Sequence, residues 1–262
     1  LDEYDVPVAK ASSNGYYDAM LEIMRPMLST VLKDNPSLRL AVITGCLKIA
    51  KESIFTGTNN LVSDTIQSTH LNEYFGFTQA DVDQILSDFH FERNKTLIKS
   101  WYDGYHFGDF DVYCPWDVMN YIRDLKIDPS ARPSSYWKNT SDNAIIRSFI
   151  DFAGGNITRK LESLLSGGYI IQRVDDMLTY DYLHSSEDNL WSVLYLTGYL
   201  TSVRDEAIAG DIPEGTSALM IPNEEIREIF ETTIMKWFDD TAKGWNRSRL
   251  FNAVWTGDAD AV

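Results

Sequence analysis

Leu1-Asp2-Glu3-Tyr4-Asp5 opens the chain, with an acidic pair directly after an apolar residue. Such a step from apolar to acidic is the expected form of the carboxyl tip of a buried parallel strand. Phosphate-handling α/β sheets bind their ligands outside the carboxyl ends of the strands. At such a tip one carboxylate can hold a Mg²⁺ ion through water while the next polarises an attacking water, the shape of a Walker B motif. A bare Asp-Glu pair is equally at home in a solvated turn, so the rest of the chain has to decide between the two.

Working outward, Val6-Pro7-Val8 and the polar run to Gly15 read as a loop. Tyr17, Met20, Leu21, Met24, Leu28, Val31 and Leu32 then recur at helical spacing, with Pro26 inside the pattern and expected to kink it. Leu38 to Ile43 reads as a second buried strand, closed by Thr44-Gly45 with a polar residue at its tip. Strand, helix and strand joined without a hairpin make one βαβ unit of a parallel sheet. The polar run from Cys46 to Asn60, which carries Lys48 and Lys51, leaves the same sheet edge and is within reach of a nucleotide bound there.

Downstream the pattern turns mainly helical. Thr78 with Asp81 has the spacing of a capping box, and Val82, Ile85, Leu86 and Phe89 continue a helical stripe. A further helix spans residues 92 to 102, and Pro115 stands in the first turn of another. Ser141 caps a helix bearing Ile145 to Ile150, and Asn156 to Leu165 forms the next. Tyr169-Ile170-Ile171 and Leu178-Thr179-Tyr180 read as short strands around the Asp175-Asp176 turn. Leu190 to Leu200 predicts a buried helix and Ala218 to Ile221 a strand; Asn223 then caps an amphipathic helix reaching Phe238.

Composition narrows the function classes. The chain has 262 residues, 44% of them hydrophobic, enough for a sizeable core and for two modules. A net charge of −16 argues against a broad nucleic-acid surface, which needs clustered Lys and Arg. Its 2 cysteines lie far apart and give neither a disulfide framework nor a zinc signature. No apolar stretch is long enough to span a membrane and no signal peptide is visible, so a cytoplasmic protein is expected. The chain starts without Met inside an apolar segment and stops just past the apolar run from Leu250 to Trp255, which reads as a piece of a longer protein.

Other clusters have readings of their own. Asp103, Asp109 and Asp111 beside His106 offer metal ligands, but a tyrosine-rich turn between helices explains them as well. They lack the spacing and terminal Glu of a calcium loop. Trp101, Tyr102, Tyr105, Phe107, Tyr113 and Trp116 suit base stacking or, without interleaved cations, an inter-helix core. Scattered arginines such as Arg93, Arg147 and Arg159 include no clear candidate for an arginine finger.

Taken together these stretches resemble the bacterial AAA-ATPase-like family, whose members often carry a PD-(D/E)XK nuclease domain at the C-terminus. The matching segments are Leu1 to Pro7, Ile43-Thr44-Gly45, Lys51 to Gly57 with Asn59-Asn60-Leu61, Trp101 to Gly108, Pro115-Trp116, Tyr136-Trp137, Thr197 to Leu200 and Ile221 to Glu224. The resemblance implies an α/β fold: a partial P-loop parallel-sheet core over residues 1–75, then a mainly helical lid and downstream module with a few short strands over 76–262. It implies Mg²⁺ and ATP as cofactors, Asp2 as the metal-associated acid and Glu3 as the catalytic, water-polarising one. Thr44 would sense phosphate, with Lys48 supplying nearby positive charge. No Gly-x-x-x-x-Gly-Lys-Ser/Thr and no nuclease constellation occurs in this sequence. ATP hydrolysis is therefore expected of the intact protein and not of these residues alone, nucleic acid would be reached only through an absent nuclease domain, and self-association is expected to cover the exposed edge. The alternative is a non-catalytic protein-interaction module that retains a degenerate ATPase fold.

Overall fold

The structure is a computed structural model that describes residues 1–33, 35–47, 61–137, 155–176, 178 and 186–234. Among them it is a mixed α/β arrangement of eight α-helices with two small antiparallel sheets. The chain first enters helix α1 (Val6–Ser13), where a loop was expected. Pro7 presets the helical φ of the first turn, and Val8 and Ala11 bury one side. Helix α2 (Tyr17–Leu32) buries Tyr17, Leu21, Met24 and Leu28 and runs on through Pro26 as one element.

The expected second buried strand takes another form. No strand is assigned from Leu38 to Ile43, and Leu40 and Val42 are 79% and 65% exposed. The segment nevertheless runs beside the chain start. Leu1 N donates to Val42 O at 2.9 Å and Thr44 N to Leu1 O at 3.0 Å. Bonds that straddle Ile43 on one side and meet at Leu1 on the other join two segments running in the same direction. All assigned strands pair antiparallel, so the parallel sheet expected here is not among them.

Helices α3 (Gln79–Phe89), α4 (Lys95–Tyr102) and α5 (Pro115–Ile127) enclose one core built on Val82, Leu86, Ile98, Tyr102, Tyr121 and Leu125. Thr78 and Asp81 form the capping box their spacing predicts. Between α4 and α5 lies a hairpin, β1 (Tyr105–Phe107) and β2 (Phe110–Val112), whose strands are too short to show alternation in sequence. Helix α6 (Gly155–Leu165) leads to β3 (Ile170–Gln172). Helix α7 (Glu187–Leu196) is buried almost all round, as its apolar run requires, and is followed by β4 (Thr201–Ser202) and β5 (Ser217–Met220).

The second sheet has the order β3-β5-β4. Ile170 pairs with Leu219, so β3 lies beside β5; Thr179 and Tyr180 of the expected neighbouring strand lie outside the described residues. Helix α8 (Glu224–Ile229) is capped by the Asn223 side chain, which accepts from Ile226 N at 3.0 Å, and passes into a π-helical turn at Phe230–Ile234. A second core gathers residues of α1 and α2 with α6, α7, the sheet and α8, centred on Leu21, Leu28, Leu161, Trp191 and Phe230.

The two cores meet where α4 ends. Gly104 adopts φ 98°, and a Cβ there would collide with the Pro222 carbonyl oxygen, so only glycine fits both the backbone and the approach. Asn223 Nδ2 donates to Asp103 O at 2.9 Å across the same junction. Nearby, His106 N donates to Thr201 Oγ1 at 2.9 Å and Arg204 Nη1 to Gly108 O at 2.7 Å, holding the hairpin on β4.

Candidate functional site

Asp2, Glu3 and Thr44 come together because the chain start and the Leu38–Thr44 segment lie side by side. The Thr44 hydroxyl donates to Asp2 Oδ1, which also accepts from Glu3 N at 3.0 Å. Asp2, Glu3 and Thr44 are all exposed, as groups that meet a ligand must be. Glu3 has φ 51°, a left-handed conformation uncommon for a residue with a side chain and recurrent at functional sites. Lys48 lies outside the described residues.

Beneath this tip lies a set of contacts that local sequence did not reveal. Asp5 is buried, at 2% exposure, and its Oδ2 accepts from Cys46 N at 3.1 Å and Leu47 N at 3.0 Å. Tyr4 N donates to Thr44 O at 3.0 Å, and the Tyr4 hydroxyl donates to Leu47 O at 2.8 Å. Gly45 is pressed against both residues: a Cβ there would lie 2.6 Å from Asp5 Oδ1 and from Tyr4 Cε1. The one sequence signal of this packing is a glycine directly after the polar strand tip.

Electrostatically the tip is negative. Cys46 is exposed at the surface, and its thiol is pushed up to about 11 by partial desolvation first and then by the charges of Asp5, Glu3 and Asp2. Two carboxylates and a hydroxyl form a hard oxygen donor set. They suit Mg²⁺, which takes one or two carboxylates and completes its shell with water and phosphate oxygens. Among the described residues no group of three or more His, Cys, Asp and Glu could hold a metal by itself.

The other candidate clusters resolve into structure. Asp111 pairs with Arg204, and His106 lies 3.7 Å from Asp111 inside the β1–β2 hairpin, so these residues brace a turn. Tyr102 and Tyr113 are core residues, whereas Trp116 is exposed. One buried constellation was not foreseen. Glu225 and Asp117, from the first turns of α8 and α5, are 0% and 1% exposed and lie within hydrogen-bonding reach of each other. The Cys114 thiol is within reach of Asp117, but with both acids ionised neither Asp117 oxygen nor Glu225 Oε2 has an N–H or O–H donor among the described residues. Two carboxyls bond to each other only through a proton. Burial raises both carboxyls, and the Asp117 charge then helps push Glu225 up to about 9, so the pair shares a proton.

Residues 1–55 match the model of the AAA-ATPase-like family, described as a predicted AAA-ATPase. The match makes this N-terminal segment similar to that family and falls on the stretch that holds Leu1 to Pro7 and Ile43-Thr44-Gly45. An uncharacterized protein encoded in the vnfD 5′ region of Azotobacter chroococcum mcd 1 is 28% identical over 141 residues. That alignment covers 53% of this chain and 26% of the relative, so the chain spans about a quarter of that protein's length. No solved structure matches the chain. No helix among the described residues is long and apolar enough to cross a membrane.

Proposed function

We propose that residues 1–75 contribute the Walker B end of a P-loop ATPase core, and that residues 76–262 are its helical lid and downstream module. The observation that carries this reading is the Thr44 hydroxyl bonded to the Asp2 carboxylate at the tips of two side-by-side segments. Asp2 would hold Mg²⁺ through water, and Glu3 would orient and polarise the attacking water. Thr44, bonded to Asp2, would report the γ-phosphate, with Lys48 adding positive charge nearby. Bound Mg·ATP supplies the transferable phosphoryl group and its charge neutralisation. The phosphate cradle of backbone N–H groups would come from a part of the protein outside these residues, which by themselves would not hydrolyse ATP. The family match over residues 1–55 supports the reading, as does the hard oxygen donor set. A cytoplasmic setting fits such a nucleotide-driven protein.

Calorimetry tests it. The full-length protein should bind Mg·ATP, Asp2→Asn should abolish the Mg²⁺ dependence of that binding, and the 262-residue chain should not bind. Equal binding by wild type and Asp2→Asn with and without Mg²⁺ would remove Asp2 from the site.

One observation favours a second reading, a non-catalytic interaction module. Ile23, Met27 and Val31 on the outer face of α2 are exposed, as are Leu40 and Val42. Apolar surface of this kind is a natural place for self-association. Light scattering distinguishes a self-associating chain from a monomer.

A further inference from the structure

Asp5 occupies the N-cap of α1, the position where an aspartate ordinarily accepts an N–H of its own helix. Here its side chain makes no cap bond. One oxygen turns instead to the amides of Cys46 and Leu47, 41 and 42 residues further along the chain. Leaving a helix end without its side-chain cap costs stability. An acid kept in such a place has a use in what it holds.

It holds the turn that presents Thr44. Asp5 grips the turn at Cys46 and Leu47, while Tyr4 grips it at Thr44 O and Leu47 O. Gly45, between those grips, has no side chain to push Asp5 and Tyr4 away. Both gripping residues directly follow Asp2 and Glu3 in the chain, so the turn and the acidic pair form one rigid unit. Without this clasp Thr44, on an exposed tip, keeps only its backbone bond to Leu1 O and its hydroxyl bond to Asp2.

We infer that Asp5 is a positioning residue of this site: by clasping the Cys46 and Leu47 amides it sets the Thr44 hydroxyl against Asp2. The inference rests on the ATPase reading for its catalytic consequence, while the clasp itself is a property of this chain. Asp5 touches neither substrate nor metal and acts through Thr44. Its effect belongs in kcat more than in KM, because a displaced Thr44 disturbs the geometry of the reacting phosphate rather than the grip on the nucleotide.

Two measurements test it. In the 262-residue chain, amide exchange followed by NMR should find the Cys46 and Leu47 amides protected, with Asp5→Ala releasing both and Asp5→Asn, which keeps an acceptor oxygen, retaining most of the protection. Rapid exchange of both amides in the wild type would overturn the clasp, whether or not any variant folds. In the full-length protein, Asp5→Ala and Thr44→Ala should each lower kcat by roughly tenfold to a hundredfold with KM little changed. The double variant should be no slower than the worse single one. Multiplying losses, or an Asp5→Ala variant with wild-type kcat, would overturn the positioning role. Absence of hydrolysis in the wild type would sink the ATPase reading and this role with it, leaving only the amide protection standing.

Discussion

Thr44 and Asp2, 42 positions apart, meet hydroxyl to carboxylate at an exposed tip. The contact links the ends of two apolar segments, and each residue is polar where its segment is not. A hydroxyl that serves only stability would gain little from so exposed a bond, since a typical hydrogen bond contributes about 1 kcal/mol net. Thr44→Val should therefore shift the urea midpoint of the chain by the equivalent of less than about 1 kcal/mol. In the full-length protein it should lower ATP turnover while nucleotide binding persists. A larger loss of stability would assign Thr44 to the fold.

The buried acid pair makes a prediction with a definite sign. Glu225 binds its proton in the folded state up to about 9, but in the unfolded chain it releases it near the ordinary value of 4.5. Between those values the folded state holds more protons, so the contribution of this pair to stability is full below about 4.5 and is lost as pH rises toward 9. The slope is at most about 1.4 kcal/mol per pH unit. Glu225→Gln supplies a donor to Asp117 without a titrating proton, so its unfolding midpoint should be flatter across this window and higher than wild type at pH 8. Parallel pH profiles for the two proteins would mean the pair does not share a proton.

Gly104 should be among the least replaceable positions. Gly104→Ala forces a side chain into φ 98° and into the Pro222 carbonyl, at the junction where α4 meets the cap of α8. A loss of more than about 2 kcal/mol in urea unfolding is expected. Gly210, also at positive φ but with nothing near it, should cost far less on the same substitution.

The cap of α8 gives a graded counterpart. Asn223→Ala removes both the bond to Ile226 N and the bond to Asp103 O. The cap bond contributes about 1 kcal/mol, and the orphaned Asp103 carbonyl adds to the loss. Asn223→Asp keeps the first bond but not the second, so it should fall between wild type and Asn223→Ala in thermal unfolding.

What could be read from sequence follows the range of each interaction. The capping box of Thr78 and Asp81, the cap at Asn223 and the buried run of α7 are local patterns, and each was legible. Helix α1 was not, because its eight residues bury only Val8 and Ala11 and give no stripe to count. The hairpin strands and β4 span two or three residues, too few to alternate, and the pairing of β3 with β5 is a long-range choice. The acidic pair and Thr44 announce themselves by a polar residue closing an apolar run. Asp5, Tyr4 and Gly45 do not, since their meaning lies in contacts with residues distant in sequence. Glu225 and Asp117 look like ordinary first-turn acids, and only their burial sets them apart.

Glu3 carries the most direct test. In the full-length protein, Mg·ATP binding and single-turnover hydrolysis should be measured side by side for wild type and Glu3→Gln. Retained binding with hydrolysis lowered by a hundredfold or more, on the order expected for loss of a positioned base, is the predicted result. Hydrolysis undiminished in Glu3→Gln, or a wild type that neither binds nor hydrolyses Mg·ATP, would contradict the assignment of this acidic tip to ATP chemistry.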